Sequence, residues 1–342
     1  MSSVILNNVA IPKREREKTL IVVEGNHEKN TLFDLLISCF PEMKIRQEDV
    51  LMYETNIHLL ITEIEKEYGE DWDRDDVDIA FVVSKKVSPN EIRYSRDFKN
   101  IFLIFDYERQ DTWFSADNLT KMQSRFHDSA DMGKLFLNYP MIESYQHCYD
   151  NQDNYENLDV SVQVRPGAKY KELVYKGLEK ESIFNIPHKL LEEIDKHGVP
   201  GVDAKACARD LLSLEASGQV IERIENIARG KISDSNLQTF KYWMRSKIQK
   251  IGYIGRNINY YEHMRSIMVT LALLNIRKAY KLQGGDYHFD SHRISEVYST
   301  ISLDDVLKVQ NIASSDPQTG VVYILNTSLF IVSDYDIKLL NV

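Results

Sequence analysis

The strongest constraint on the fold is a pair of uninterrupted apolar runs that each stop on a carboxylate. Leu20–Val23 runs into Glu24-Gly25, and Ile101–Phe105 runs into Asp106-Tyr107-Glu108. A half-exposed strand alternates apolar and polar residues. Runs without that alternation belong inside a parallel sheet covered by helices on both faces. Val50–Tyr53, Val77–Val83 and Lys134–Asn138 read as further strands, from their β-branched and aromatic content. Asn30–Phe40, Asn56–Tyr68, Ala116–Phe126 and Met141–Tyr149 have apolar residues at helical spacing, the first stopped by Pro41 and the last opened by Pro140. This alternation predicts an α/β domain over residues 18–150, with a mostly parallel sheet flanked by helices. The residues before it read as a polar arm.

The strand signal fades at the polar stretch 151–156, and a second, mainly helical domain is expected over 151–342. Its helices are expected at Lys189–His197, Ala204–Glu215, Val220–Ala228, Leu237–Lys250 and Tyr260–Leu282. Val160–Val164 reads as an edge strand. Gly320–Leu325 and Ser328–Val332 read as terminal strands separated by Asn326-Thr327.

A chain of 342 residues with 43% hydrophobic and 27% charged content has ordinary globular composition, which excludes disorder as its main state. No apolar run approaches the ~20 residues that span a bilayer, and charges follow rather than precede the short apolar stretch at the N-terminus. Three dispersed cysteines, Cys39, Cys148 and Cys207, form neither a disulfide framework nor a zinc motif. A cytoplasmic protein with no membrane partner is the expectation. Charge is uneven: residues 1–150 hold 18 basic and 28 acidic residues, while Val220–Lys281 holds 12 basic and 4 acidic ones. An acidic half and a basic island fit a cation site and an anion-binding surface, although a solvated basic helix face reads the same way.

In an open parallel sheet, functional groups collect in the crevice beyond the carboxyl ends of the strands. Glu24 and Asp106 stand at two such ends, and an extended backbone would point Glu108 to the same side as Asp106. Converging carboxylates repel one another unless a cation lies among them. Oxygen ligands without His or Cys favour Mg²⁺ or Mn²⁺. A single acid after a strand is more commonly a solvated loop residue, so the weight rests on the group.

A strand ending in Glu-Gly, with a later strand ending in Asp-x-Glu, resembles the TOPRIM domain of topoisomerases, primases and OLD-family nucleases. The stretch Leu137-Asn-Tyr-Pro-Met-Ile-Glu143-Ser is similar to the Asn-Pro-x-x-Glu segment of small TOPRIM proteins encoded beside ABC-type ATPases. The chain thereby resembles the effectors of PARIS-type and related abortive-infection systems. The resemblance covers about residues 18–150. It implies that Glu24 is a metal ligand or proton carrier, that Asp106 and Glu108 are ligands, and that Glu143 helps hold a second cation. Glu108 stands where many members have Asp. For Glu143 alone, a helix N-terminal acid is nearly as good a reading.

Lys85 and Lys86, after Val77–Val83, are candidates for contact with the scissile phosphate. In the basic island, Lys241, Arg245, Lys247, Lys250 and Arg256 interleave with Tyr242, Trp243, Tyr253, Tyr260 and Tyr261, a mixture suited to backbone phosphates and unpaired bases. The resemblance implies a metal-dependent endonuclease acting on RNA, with tRNA a candidate, in preference to DNA. It would be the toxic effector of an anti-phage system, held inactive by an ABC- or OLD-like ATPase, with a homodimer possible. The chain has no P-loop motif of its own. The alternative is a non-catalytic TOPRIM-like module that binds nucleic acid or a protein partner.

Overall fold

The computed structural model describes residues 18–157, 160–164, 169–177, 183–196, 201–215, 220–229, 231–250 and 258–340. In the first half the order is β1 (Thr19–Val23), α1 (Asp34–Cys39), β2 (Val50–Met52), α2 (Ile57–Tyr68), α3 (Ile79–Val87), β3 (Asn100–Asp106), α4 (Ala116–Arg125), β4 (His127–Asp128), β5 (Gly133–Asn138) and α5 (Ser144–Asp150). A π-helical turn, Glu28–Phe33, leads into α1. Next come β6 (Ser161–Gln163), α6 (Tyr170–Gly177), α7 (Ile186–Lys196), α8 (Gly201–Leu212), α9 (Val220–Ala228) and α10 (Asp234–Lys250). The chain closes with α11 (Tyr260–Leu282), α12 (Ile294–Thr300), α13 (Leu303–Ala313), β7 (Val321–Tyr323) and α14 (Phe330–Asp336).

The main sheet has five strands in the order β2-β1-β3-β5-β4, parallel except for the short β4 edge. The apolar runs occupy its centre: β1 is buried throughout and β3 everywhere but its first residue. From β1 the chain moves outward to β2 and then returns to the other side of β1 at β3. The β1/β3 boundary is therefore where strand order reverses, the usual place for a ligand crevice in an open α/β sheet.

Two expected strands are helices. Val77–Val83 is interrupted by Asp78, whose carboxylate accepts from Phe81 N (3.0 Å) and from Ser95 N and Oγ (both 2.8 Å). That cap starts α3, which buries Ile79, Ala80, Val82 and Val83 on one face. Ser328–Val332 belongs to the turn into α14, and Asn326-Thr327 is a buried junction before it. The run after Pro140 becomes helical only at Ser144. Val160–Val164 does supply an edge strand, β6, but pairs antiparallel with β7 in a separate two-stranded sheet. The expected polar arm before residue 18 falls outside the described residues.

One continuous apolar cluster runs through both halves of the chain. Contacts across residue 150 are extensive. Tyr139 and Leu325 exchange backbone hydrogen bonds of 2.8 and 2.9 Å. Thr327 Oγ1 donates to Leu137 O (2.7 Å), and Ser328 Oγ donates to Asn138 Oδ1 (2.7 Å). Asn326 Nδ2 donates to Ile142 O (2.9 Å) and Ser144 Oγ (3.1 Å). Helix α11 packs on α1 and donates Arg265 Nη1 to Cys39 O (2.9 Å). Among the described residues no helix is long and apolar enough to cross a membrane.

Candidate active site

The register of β1 on β3 pairs Val23 with Ile104, which brings Glu24 beside the last residues of β3. Asp106 N faces Glu24 Oε2 at 3.5 Å, so the two strand-end carboxylates share one crevice. Asp106 is only 3% exposed, and its Oδ1 has no hydrogen-bond partner. Burial, reinforced by Glu24, Glu28 and Glu143, raises its pKa well above the carboxylate range. Glu24 is half-buried at the mouth. Burial first, then Glu108 and Glu28, push its pKa up to about 8.

Glu108 reaches this group by an unexpected route. The extended backbone ends at Asp106, and Glu108 has φ +41° in the left-handed region, uncommon for a side chain larger than glycine. Glu108 O accepts Asp111 N (2.8 Å) in a tight turn, and Glu108 N faces Pro140 O at 3.4 Å. Burial and then Asp111 raise its pKa, against Lys171 and the Asn56 amide, which also donates to Asp111 (2.8 Å). Backbone strain of this kind persists only where surrounding contacts over-determine it. Here Tyr107 is pinned through its hydroxyl to Asn311 (2.7 Å) and Ser314 (2.9 Å), and Arg109 Nε donates to Ser314 O (3.1 Å). Helix α13 and its C-terminal cap therefore brace the loop that carries Glu108.

Glu143 precedes α5 and is fully buried. Lys171 Nζ lies 3.2 Å from its Oε1, and His27 Nε2 lies 4.0 Å away. The buried Asn326 amide holds Ile142 O and Ser144 Oγ on either side of it.

The structure thus gathers Glu24, Asp106, Glu108 and Glu143 around one crevice. It adds Glu28, whose Oε2 accepts Gly25 N (2.9 Å), with His27, Asn56 and Lys171. The four-residue step from Glu24 to Glu28 was visible in the sequence. Lys171 carried no local signal, because α6 comes from the other half of the chain. All the carboxylates offer hard oxygen donors, the chemistry that suits Mg²⁺ or Mn²⁺. Among the described residues, no three Asp, Glu, His or Cys side chains already stand in an arrangement that would hold a metal ion.

The other candidates lie elsewhere. Lys85 and Lys86 are in the last turn of α3, where Lys85 pairs with Glu67 (2.5 Å). Lys86 donates to Thr55 Oγ1 (3.2 Å) and lies over the Tyr53 ring, beside the end of β2. Lys241 pairs with Glu225, and Arg245 is exposed on α10. Lys247 and Lys250 are on α10, with side chains outside the described set, and Arg256 lies outside the described residues. Trp243 packs on the core and stacks with Phe240, Tyr260 is buried, and Tyr242 is exposed. Part of the basic island is structural: buried Lys278 donates to Tyr155 O (2.9 Å) and Asn157 O (2.8 Å), and Lys281 donates to Glu156 O (2.9 Å).

No protein family, curated protein or solved structure matches the chain.

Proposed function

We propose that the chain is a TOPRIM-type, divalent-metal-dependent nuclease whose active site is the crevice at the ends of β1 and β3. The observation that carries this reading is the convergence of Glu24, Asp106, Glu108 and Glu143, with Asp106 and Glu143 buried and Asp106 Oδ1 without a hydrogen-bond partner. Buried carboxylates persist as anions only where positive charge meets them, and a divalent cation would add to the single charge that Lys171 supplies. A divalent cation there would polarise a phosphodiester and lower the pKa of an attacking water. Asp106 and Glu108 would hold it from the end of β3 and the turn after it, and Glu143 from the residue before α5. Glu24, at the mouth and with its proton affinity moved toward neutrality, is suited to carry the proton.

RNA is the favoured substrate over DNA, and an anti-phage effector controlled by a partner ATPase is the favoured setting. Both rest on the TOPRIM motif resemblance alone. The second reading, a binding module without catalysis, draws on the absence of a preassembled ligand trio among the described residues. The test is incubation of total cellular RNA and plasmid DNA with the purified protein in Mg²⁺, Mn²⁺ or EDTA. Metal-dependent cutting that is lost in Glu24→Gln supports the nuclease. Turnover retained by the variant removes the assignment.

A further inference from the structure

A positive charge already stands among the four carboxylates, and it comes from the far half of the chain. Helix α6 buries Tyr170 and Val174, and the Tyr170 hydroxyl meets His147 Nδ1 at 3.2 Å with the two rings stacked. The helix is therefore fixed against α5. Lys171, the next residue, sends its ammonium to 3.2 Å from Glu143 Oε1. The same ammonium eases ionisation of Glu24, Asp106 and Glu108. Burial works against its own charge, but Glu143 and Asp106 outweigh burial and hold its pKa above the ordinary lysine value. Its side chain is nevertheless 46% exposed. The ammonium can swing into solvent while Tyr170 and Val174 keep the helix in place.

We propose that Lys171 is a built-in counter-ion that takes the place of a divalent cation at Glu143 and Asp106, so that cation binding and the Lys171–Glu143 contact exclude each other. The inference rests on the metal-site reading above and adds what occupies that site when no metal is bound. A single ammonium meets Glu143 Oε1 at 3.2 Å and leaves Asp106 Oδ1 without a hydrogen-bond partner. A divalent ion carries twice the charge and can accept both carboxylates as ligands. An ammonium and a divalent ion within a few ångströms repel each other, most strongly beside buried Asp106 and Glu143. Apparent metal affinity is then the intrinsic affinity reduced by the fraction of molecules in which Lys171 has withdrawn.

Mn²⁺ titration of the full-length protein and of Lys171→Gln, followed by calorimetry and by the electron paramagnetic resonance of free Mn²⁺, tests the exclusion. The variant should bind Mn²⁺ roughly tenfold or more tightly than wild type, the fold-change expected if withdrawal limits binding. In EDTA it should melt lower, and Mn²⁺ should restore it. A second measurement needs no variant: acylation of Lys171 by an amine-reactive reagent, read by peptide mass spectrometry, should become several-fold faster at saturating Mn²⁺. Exposed Lys44 serves as the internal reference. Equal or weaker Mn²⁺ binding by Lys171→Gln, or unchanged Lys171 labelling while Mn²⁺ is bound, overturns the inference and leaves the metal site standing. No Mn²⁺ binding by either protein overturns both.

Discussion

Glu24 is half-buried between Glu108 and Glu28, and keeps its proton up to about pH 8 in the absence of a cation. A folded pKa above the unfolded value of 4.5 makes the folded state the better proton binder. This contribution to stability is complete below about pH 4.5 and is lost as pH rises through about 8. In EDTA, the melting temperature of wild type should therefore fall across that window relative to Glu24→Gln, which has no proton to lose. Parallel melting curves from pH 5 to 9 would refute the shift. Asp106 gives a second residue-level expectation. Asn at this position keeps the shape without a carboxyl that can ionise, so Asp106→Asn should melt at or above wild type in EDTA yet lose metal-dependent cutting. A marked loss of stability would make Asp106 a structural acid.

At the scale of elements, two polar devices decide what the apolar text becomes. Asp78 turns VDIAFVV into α3 by capping Phe81 N and holding Ser95. Asp78→Ala should cost about 1–2 kcal/mol in chemical denaturation. A change near zero would mean that the core alone dictates the helix. Asn326 links Ile142 O and Ser144 Oγ around Glu143. Asn326→Ala should cost about 1–3 kcal/mol by orphaning buried groups. It should also weaken metal binding, because Glu143 loses its frame. The contrast explains what was legible in the sequence. β1 and β3 lie in the sheet centre, buried on both faces, so their runs admit no other reading. Val77–Val83 and Ser328–Val332 are short apolar stretches whose periodicity fits strand or helix equally, and for the first the Asp78 cap on Phe81 N, with its hold on Ser95, selects the helix. Glu24 and Asp106 were legible because strand ends mark crevices. Lys171 comes from α6, more than 60 residues after Glu108, and the left-handed turn at Glu108 depends on α13, about 200 residues further along the chain.

The whole molecule joins its two halves through buried polar contacts and a shared core. The end of β5 finds hydrogen-bond partners at residues 325–328, α13 pins Tyr107 and Arg109, and α11 packs on α1. A fragment ending at residue 157 should therefore lose cooperative unfolding, since it exposes the apolar surface that α11 covers and strands Asn138 without Ser328. A fragment that melts sharply near the full-length temperature would contradict this coupling. The same architecture brings Lys171 from the second half to the acids at the ends of β1 and β3, and the proposal that these acids hold a divalent cation is the central claim. The most direct measurement is anomalous scattering from crystals soaked in Mn²⁺ at pH 8. The expected result is a peak within about 2.0–2.6 Å of oxygens from Asp106 and at least one of Glu24, Glu108 and Glu143. Saturating Mn²⁺ with no peak in that crevice, or a peak only elsewhere on the molecule, would contradict it.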